Sequence, residues 1–325
     1  MGGYYSVQAV ALCAQLLLAS SISLLTQATI SQEGTYKYKT MTVPLFAELG
    51  KLGVSILLFF TAYVQSNGKM LVEFSHRTVF TAAVPGALYF LSNNLNFIII
   101  RELGASNFQL LNNLKVLTTA FFFRLIMKVD LNGLQWRMLL LLTIGCLVSQ
   151  SNQRSGQHFL IGSVLGYTLK IINSCLTAIG SVYCEKFLKH IPNNFHFQNI
   201  LLYAWGSLFA IFALLIEGEI FSDGMIIVRG HTWLTFLLIC SYTFGGIATS
   251  AVIKYLDSIA KTFAATGSSF LVATVSIVKL WEPFRIELIW GSLIAGVAVD
   301  VYYHGELLLD KKKMSINDQL VEKVL

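Results

Sequence analysis

A lysine lies in the middle of a long apolar stretch, and its neighbours have side chains that could contact a bound solute. Phe108, Asn112, Lys115 and Thr119 recur at i, i+4, i+7 and i+11, so a helix over residues 105–127 would place all four on one face. A lysine at the centre of a bilayer costs about 2.5–3.5 kcal/mol on insertion scales and usually faces a partner or a water-filled cavity. The pattern predicts one wall of a polar cavity inside a membrane bundle.

A second polar face lies in the preceding apolar stretch, where Tyr89, Asn93 and Asn96 recur at i, i+4 and i+7. An unpaired amide in hydrocarbon costs several kcal/mol, so this face must be wet or hydrogen-bonded. Asparagines also join helices to one another in membranes. The nearby Lys115 favours the interpretation that the face lines a site.

Further polar residues occur in later apolar stretches, and each has two interpretations. Asn199 and Tyr203 stand at i and i+4, where they could line a site, anchor the helix at the interface or join two helices. Ser250 follows Gly245-Gly246, a pattern typical of close helix packing. Lys261 begins its stretch and either binds a solute or extends its ammonium to the interface.

Other charged residues within the apolar stretches are predicted to be structural or have no assigned role. Glu48 and Lys51 stand at i and i+3, so we expect an ion pair within one helix. Lys170 and Lys279 also fall within apolar stretches, but nothing in the sequence around them indicates a role.

The balance of these side chains indicates the class of solute. Fixed cations with amides, hydroxyls and aromatic rings suit an anionic, aromatic, polyhydroxylated compound. A proton-coupled pathway would more naturally have carboxylates in the middle of its helices. The sequence has no nucleotide-hydrolysing loop and no catalytic His/Ser/Asp grouping, so we expect a transporter rather than a pump or an enzyme. No cofactor, metal or nucleic-acid partner is predicted.

The composition places these residues in a multi-spanning, all-α membrane protein. Of 325 residues, 55% are hydrophobic and 12% are charged, and the mean hydropathy is +0.66. A soluble domain is usually about a quarter charged. A span needs roughly 20 mostly apolar residues. That criterion predicts about ten spans: 4–27, 42–64, 79–100, 105–127, 134–151, 158–187, 196–217, 231–255, 261–281 and 286–306.

Basic residues in short connections predict the orientation of the chain. With an even number of spans both termini share a side, and that side carries Lys69, Arg77, Lys128 and the run Lys311-Lys312-Lys313. We therefore expect both termini in the cytosol. Ten spans divide into two five-helix halves, residues 1–151 and 152–310, followed by a cytosolic tail, 311–325. An odd number of spans in each half makes the halves inverted repeats, as in many transporters.

Several motifs in this order resemble the nucleotide-sugar transporter family. They include Asn113-Leu114-Lys115-Val116-Leu117-Thr118-Thr119, Asn93-Asn94-Leu95, Val182-Tyr183-Cys184-Glu185-Lys186, Gln198-Asn199-Ile200 and Lys254-Tyr255-x-Asp257-x-Ile259-x-Lys261. The branch that carries CMP-sialic acid and UDP-galactose is the most similar. Tyr36-Lys37-Tyr38 before Val43-Pro44 resembles the plant CMP-sialic-acid-transporter-like group.

The resemblance implies an antiporter of the drug/metabolite transporter superfamily in the Golgi membrane. Such proteins import a nucleotide sugar and export the nucleoside monophosphate. For this chain the expected sugar is CMP-sialic acid or a related CMP- or UDP-sugar, and the expected monophosphate is CMP, with UMP as the second choice. Carried over by position, Lys115 and Lys261 would contact phosphate. The residues that would line the nucleotide and sugar region are Tyr89, Asn93, Asn199, Tyr203 and Ser250. Homodimer formation is left open.

Three departures from the family pattern leave the carried sugar undecided. The family often has tyrosine at the positions of Phe108 and Asn112, and Trp205 stands where the animal sialic acid transporters carry a small hydroxyl residue. Two other functions compete with the transporter hypothesis. A proton-coupled exporter of small organic solutes predicts an essential carboxylate within a span, for which Glu48 is the candidate. A membrane scaffold without transport predicts that the lysines tolerate substitution.

Overall fold

The computed structural model describes residues 2–29, 36–68, 72, 74–149, 163–216, 227–279 and 286–322. These residues form α-helices joined by short connections, which confirms the predicted all-α class. The helices are α1 (Gly2–Ala28), α2 (Thr42–Gln65), α3 (His76–Leu111), α4 (Lys115–Met127), α5 (Gly133–Ser149), α6 (Val164–His190), α7 (Phe195–Ile216), α8 (Trp233–Tyr255), α9 (Ser258–Lys279) and α10 (Ile286–Glu322).

Five of the described helices are long and apolar enough to cross a membrane: α1, α2, α7, α8 and α10 over 286–305. The shorter helix α5 is also apolar. Large apolar side chains point outward from them, including Leu57 and Phe60, both 64% exposed. In water this surface would be unfavourable, whereas a bilayer solvates it. The chain is a multi-pass membrane protein.

The structure differs from the predicted spans at two places. The third and fourth spans were predicted as separate helices, but α3 remains helical through the expected connection, and a 3-10 turn at Asn112–Leu114 precedes α4. Phe108 and Asn112 therefore do not share one regular helix with Lys115, because the turn changes the rotation per residue. The last helix also continues beyond the predicted end at 306, to Glu322. The predicted start of the sixth span, 158, lies outside the described residues.

Helices α3 and α6 form the centre of the bundle and pack along each other. Helix α6 also packs on α4, and α3 on α7. On the other side of the bundle α1 packs on α8 and α9, and α2 packs on α7 and α8. Helices α5 and α10 form a further pair. Helices α3, α4 and α9 carry most of the predicted site residues, and all three pack on α6.

The segment before α8 is held against the segment before α2. His231 Nε2 lies 2.9 Å from Thr42 Oγ1, and its ring stacks on Tyr38 with 5.3 Å between centroids. Burial lowers the pKa of His231, so the ring is neutral near pH 7. This contact ties two connections on the same end of the bundle.

Near the C-terminal end of α6, a buried carboxylate fixes the start of α9. Glu185 is fully buried, and its Oε2 accepts hydrogen bonds from Ser258 N at 2.7 Å and Ser258 Oγ at 2.6 Å. Its Oε1 accepts from Lys189 Nζ at 2.6 Å. A carboxylate at the start of a helix is favoured because the free N–H groups there carry partial positive charge. Glu185 therefore anchors α9 to α6.

We expect Glu185→Ala to lower the melting temperature strongly, because it leaves Lys189 and the start of α9 without their buried acceptor. Removing one partner of a buried ion pair costs about 3–5 kcal/mol. Asp130→Ala is the matched control, because it removes an exposed carboxylate that bonds Arg124 at 3.0 Å, and exposed pairs contribute about 0–1 kcal/mol. Thermal unfolding of both purified variants measures the difference, and equal losses would contradict the anchoring role.

Helices α5 and α10 approach so closely that only glycine fits at their contact. A Cβ at Gly291 would lie 2.5 Å from the Gly145 carbonyl oxygen and 2.5 Å from Ser149 Cβ. Small residues allow such backbone approach between membrane helices, where dispersion and not the hydrophobic effect drives association. By contrast, Gly296 on the same helix has open space around its Cα.

Gly291→Val should separate α5 from α10 and destabilise the fold by about 1–3 kcal/mol, the usual cost of overpacking. Gly296→Val introduces the same side chain into open space and should leave the melting temperature nearly unchanged. Unfolding curves in detergent compare the two variants. A Gly291→Val protein as stable as the Gly296→Val protein would show that the contact tolerates separation.

Candidate functional site

A seam of polar side chains runs along the contact between α3 and α6. The two helices are antiparallel there, and four hydrogen bonds cross between them. They join Ser163 Oγ to Glu102 Oε2 at 2.7 Å, Asn173 Nδ2 to Asn96 Oδ1 at 2.6 Å, Ser92 Oγ to Thr177 Oγ1 at 2.8 Å, and Tyr89 OH to Ser181 Oγ at 2.9 Å. We call these eight residues the polar seam. The predicted polar face of α3 is thus directed at another helix.

Lys261 extends from α9 into the polar seam. Its Nζ donates to Tyr89 OH at 2.9 Å and to Ser181 Oγ at 2.7 Å, and it lies 4.9 Å from the centroid of the Tyr89 ring. The interpretation that Lys261 extends to the interface is wrong, because its ammonium contacts helices α3 and α6 inside the bundle. The two predicted site residues Tyr89 and Lys261 are in direct contact.

Lys115 begins α4, and its side-chain ammonium makes no hydrogen bond or ion pair with any described residue. It is repelled electrostatically by Lys261 and by Lys170. Among the described residues, no Asp or Glu forms a salt bridge with any of these three lysines. Thr119, one turn further along α4, is 2% exposed and buried in the bundle. The site therefore holds an excess of positive charge.

The sequence analysis gave no role to Lys170, yet the structure places it among the predicted site residues. Lys170 is 2% exposed. Its Nζ donates to Asn112 Oδ1 at 3.2 Å and lies 3.7 Å from the centroid of the Phe108 ring. One sequence signal could have indicated this residue: Lys170, Ser174, Thr177 and Ser181 recur at i, i+4, i+7 and i+11 on α6.

A second cluster joins α2, α7 and α8. Tyr203 is buried; its OH donates to the Gly246 carbonyl oxygen at 3.1 Å and lies 3.3 Å from Ser250 Oγ. Lys51 Nζ lies 5.0 Å from the centroid of the Tyr203 ring and forms the predicted ion pair with Glu48. A Cβ at Gly246 would overlap Lys51, so glycine leaves the space that this lysine occupies.

The Tyr203 cluster is a neighbour of the Lys261 cluster, because Tyr203 belongs to one buried apolar cluster with Cys184, which follows Ser181 by three residues on α6. Asn199, one turn before Tyr203, is 1% exposed, and its Oδ1 has no hydrogen-bond partner among the described residues. Asn93 was predicted on the same face as Tyr89, but its side chain lies outside the described part of α3. The predicted residues thus form neighbouring groups on both sides of the bundle axis.

A cavity elsewhere in the bundle has a different character. It has a volume of about 550 Å³, lies between α1, α5, α9 and α10, and is lined mainly by apolar side chains such as Leu16, Phe263 and Phe270. None of the predicted site residues lines it. No lysine or arginine is among its described lining residues, and His304 there contacts Asp300 at 3.0 Å, so the chemistry predicted from the sequence belongs to the lysine groups.

The chain matches the nucleotide-sugar transporter family model over residues 5–303. A solved crystal structure of a protein shares the fold, with a TM-score of 0.67 at 15% identity, and the match covers 92% of this chain and 96% of that one.

The names of three relatives state what they carry. CMP-sialic acid transporter 4 of Arabidopsis thaliana is 29% identical over 91% of this chain and 84% of its own length. CMP-sialic acid transporter 1 of Oryza sativa subsp. japonica is 30% identical over 88% and 91%. The UDP-galactose translocator of Mus musculus is 32% identical over 82% and 70%. These matches extend over most of the chain, and the chain belongs to the nucleotide-sugar transporter family.

Proposed function

We propose that this protein is a Golgi antiporter that exchanges a nucleotide sugar for the corresponding nucleoside monophosphate. The observation that supports this most strongly is Lys115, a cation inside the bundle that repels Lys261 and has no described partner. An anionic phosphate between the two lysines would neutralise both. CMP-sialic acid or a related CMP- or UDP-sugar is the proposed substrate, since relatives are named for CMP-sialic acid and UDP-galactose.

The uncompensated charge also accounts for obligatory exchange. Ions removed from water cost several kcal/mol each unless they are paired. A cavity that must pass through an occluded state with two unpaired ammonium groups reorients poorly when it is empty. The nucleotide sugar supplies the missing negative charge for reorientation in one direction, and the monophosphate supplies it for the return. Lys115 and Lys261 would act as point charges toward the phosphate oxygens.

The other site residues would hold the uncharged parts of the ligand. Tyr89 and Phe108 present aromatic rings beside the lysines, and rings of this kind stack on bases. Asn199 has a buried acceptor without a described partner, and a bound ligand that donates a hydrogen bond would satisfy it. Ser250 and Tyr203 would contact the base or the sugar from the opposite side.

Alternating access would come from rocking of two inverted five-helix halves, residues 1–151 and 152–310. The helix contacts support this division. Each helix of one half is matched to its counterpart by adding five to the helix numbers of the first half and subtracting five from those of the second. Then α1–α8 becomes α6–α3, α1–α9 becomes α6–α4, and α2–α8 becomes α7–α3, and all of these pairs pack together. Helices α2 and α7, α4 and α9, and α5 and α10 pack with their own counterparts. We propose that all ten helices cross the bilayer.

We further propose that both termini face the cytosol, with residues 311–325 as a cytosolic tail. The distribution of basic residues in the connections supports this orientation. The nucleotide sugar would then enter the Golgi lumen and the monophosphate would leave it.

The proposal is tested by exchange in proteoliposomes that are preloaded with CMP, UMP, GMP or AMP and supplied with labelled nucleotide sugars. We expect one internal monophosphate, CMP or UMP, to accelerate uptake of sugars that carry the same base. Uptake that follows a proton gradient and ignores all four monophosphates would instead support the exporter hypothesis, and Glu48→Gln would then be the informative variant.

Lys115→Ala and Lys261→Ala should each reduce exchange to the background of empty liposomes, because each removes half of the proposed phosphate contact. Hydrogen bonds to charged groups are worth about 1.5–3 kcal/mol, a loss of roughly 10- to 100-fold in affinity for each lysine. Lys186→Ala is the control, since Lys186 is an exposed lysine on α6. Folding is checked by thermal unfolding, and near-normal exchange by Lys115→Ala would overturn the assignment of that residue.

A further inference from the structure

We propose that Lys170 forms a second anion subsite, which recognises a nucleotide sugar with two separate anionic centres and discriminates it from the nucleoside monophosphate. This inference rests on the proposed function, because it concerns the same group of lysines and their neighbours. The second anionic centre is either a carboxylate on the sugar or the second phosphate of a diphosphate linkage.

The contacts of Lys170 leave part of its binding capacity unused. An ammonium group has three N–H donors. One points to Asn112 Oδ1 at 3.2 Å, and the face of the Phe108 ring, 3.7 Å from Nζ, takes a second. Neither partner carries a negative charge. For a side chain that is only 2% exposed, this is an incomplete set of partners.

The position of Lys170 relative to the other cations suggests a separate subsite. Lys261 is held at the Tyr89–Ser181 end of the polar seam, whereas Lys170 precedes Ser181 by eleven residues, about 16 Å along α6. Lys115 interacts electrostatically with both. A single phosphate placed between Lys115 and Lys261 leaves Lys170 unpaired. A ligand with a second anionic centre reaches it.

The partners of Lys170 are two of the three residues at which this chain departs from the family resemblance, the third being Trp205. Phe108 and Asn112 replace residues that are often tyrosine in the family, and both contact the Lys170 ammonium. The Phe108 ring and the Asn112 amide both orient the cation, and neither supplies a negative charge. We infer that Lys170, Phe108 and Asn112 set substrate preference in this protein.

The test compares ligands that share a base and differ in the number of anionic centres. Exchange is measured for wild type, Lys170→Met and Lys170→Arg in the presence of two pairs of inhibitors. The first pair compares inhibition by CMP with inhibition by CMP-sialic acid. The second pair compares the nucleoside monophosphate with the nucleoside diphosphate of the base that the wild type exchanges. Lys170→Met should weaken inhibition by the two-centre ligands roughly 10- to 100-fold and inhibition by the monophosphates by less than about 3-fold. Lys170→Arg should retain most of the discrimination, because it keeps the charge.

The two pairs identify the second centre. If Lys170→Met weakens inhibition by CMP-sialic acid alone, the second anionic centre is the carboxylate. If it weakens inhibition by the diphosphate, the second anionic centre is the second phosphate. Lys186→Met, on the same helix but exposed, should change neither ratio. A second readout is thermal unfolding without ligand: Lys170→Met should melt no lower than wild type, because it removes an unpaired cation and keeps the contact with Phe108.

Equal weakening of all ligands, or none, in Lys170→Met would overturn the subsite while the proposed exchange function stands. A lower melting temperature together with equal weakening would assign Lys170 a purely structural role. Absence of exchange by the wild type with every monophosphate is a different result, because it contradicts the proposed function itself.

Discussion

Mutual repulsion among three ammonium groups inside the bundle is the constraint on which the arrangement of the site depends. Lys115 repels both Lys170 and Lys261, and no described carboxylate bonds any of them. The empty protein partly offsets this cost with an amide, hydroxyls and two aromatic faces. Each of these is a weak partner compared with a carboxylate. An incoming anion therefore replaces contacts that are easily given up, which suits reversible binding.

Unlike the three lysines of the site, the charged residues that flank it form ion pairs. Glu48 is paired with Lys51, and Glu185 with Lys189, in each case within one helix. These pairs neutralise themselves and need no ligand. The contrast separates the polar residues that hold the helices in place from those that remain available to a solute. It also explains why a polar interior does not require a large number of ion pairs.

How well the sequence predicted each residue depends on where its partners are. The ion pair of Glu48 and Lys51 was predicted correctly because both residues belong to one helix and spacing alone brings them together. Lys170 was missed because Asn112 lies 58 positions away along the chain, and no local pattern reveals a partner on another helix. The 3-10 turn at Asn112–Leu114 contains no glycine or proline, so it has no sequence signal of the usual kind.

The sequence also left the direction of Lys261 open, for a physical reason. A lysine near a helix start can extend outward or inward at similar cost, and only the neighbouring helices decide. Here the hydroxyls of Tyr89 and Ser181 accept hydrogen bonds from Lys261 and so direct its side chain inward. The all-helical class was easier to predict from the sequence. A chain of this length with an apolar fraction of 55% and few charges has few alternatives to a bundle of membrane helices.

The anchor at Glu185 has a mechanical consequence. Ser258 is fixed to α6 at the first residue of α9, and Lys261 follows only three residues later, about 4.5 Å along the helix axis. The far end of α9, at Lys279, is about 31 Å from the same point. If α9 tilts by roughly 20° about its anchored start, the backbone at Lys261 moves by about 1.5 Å and the far end by about 11 Å. The helix is thus a lever whose short arm carries the cation, so its far end can swing widely while Lys261 keeps its place beside Tyr89 and Ser181.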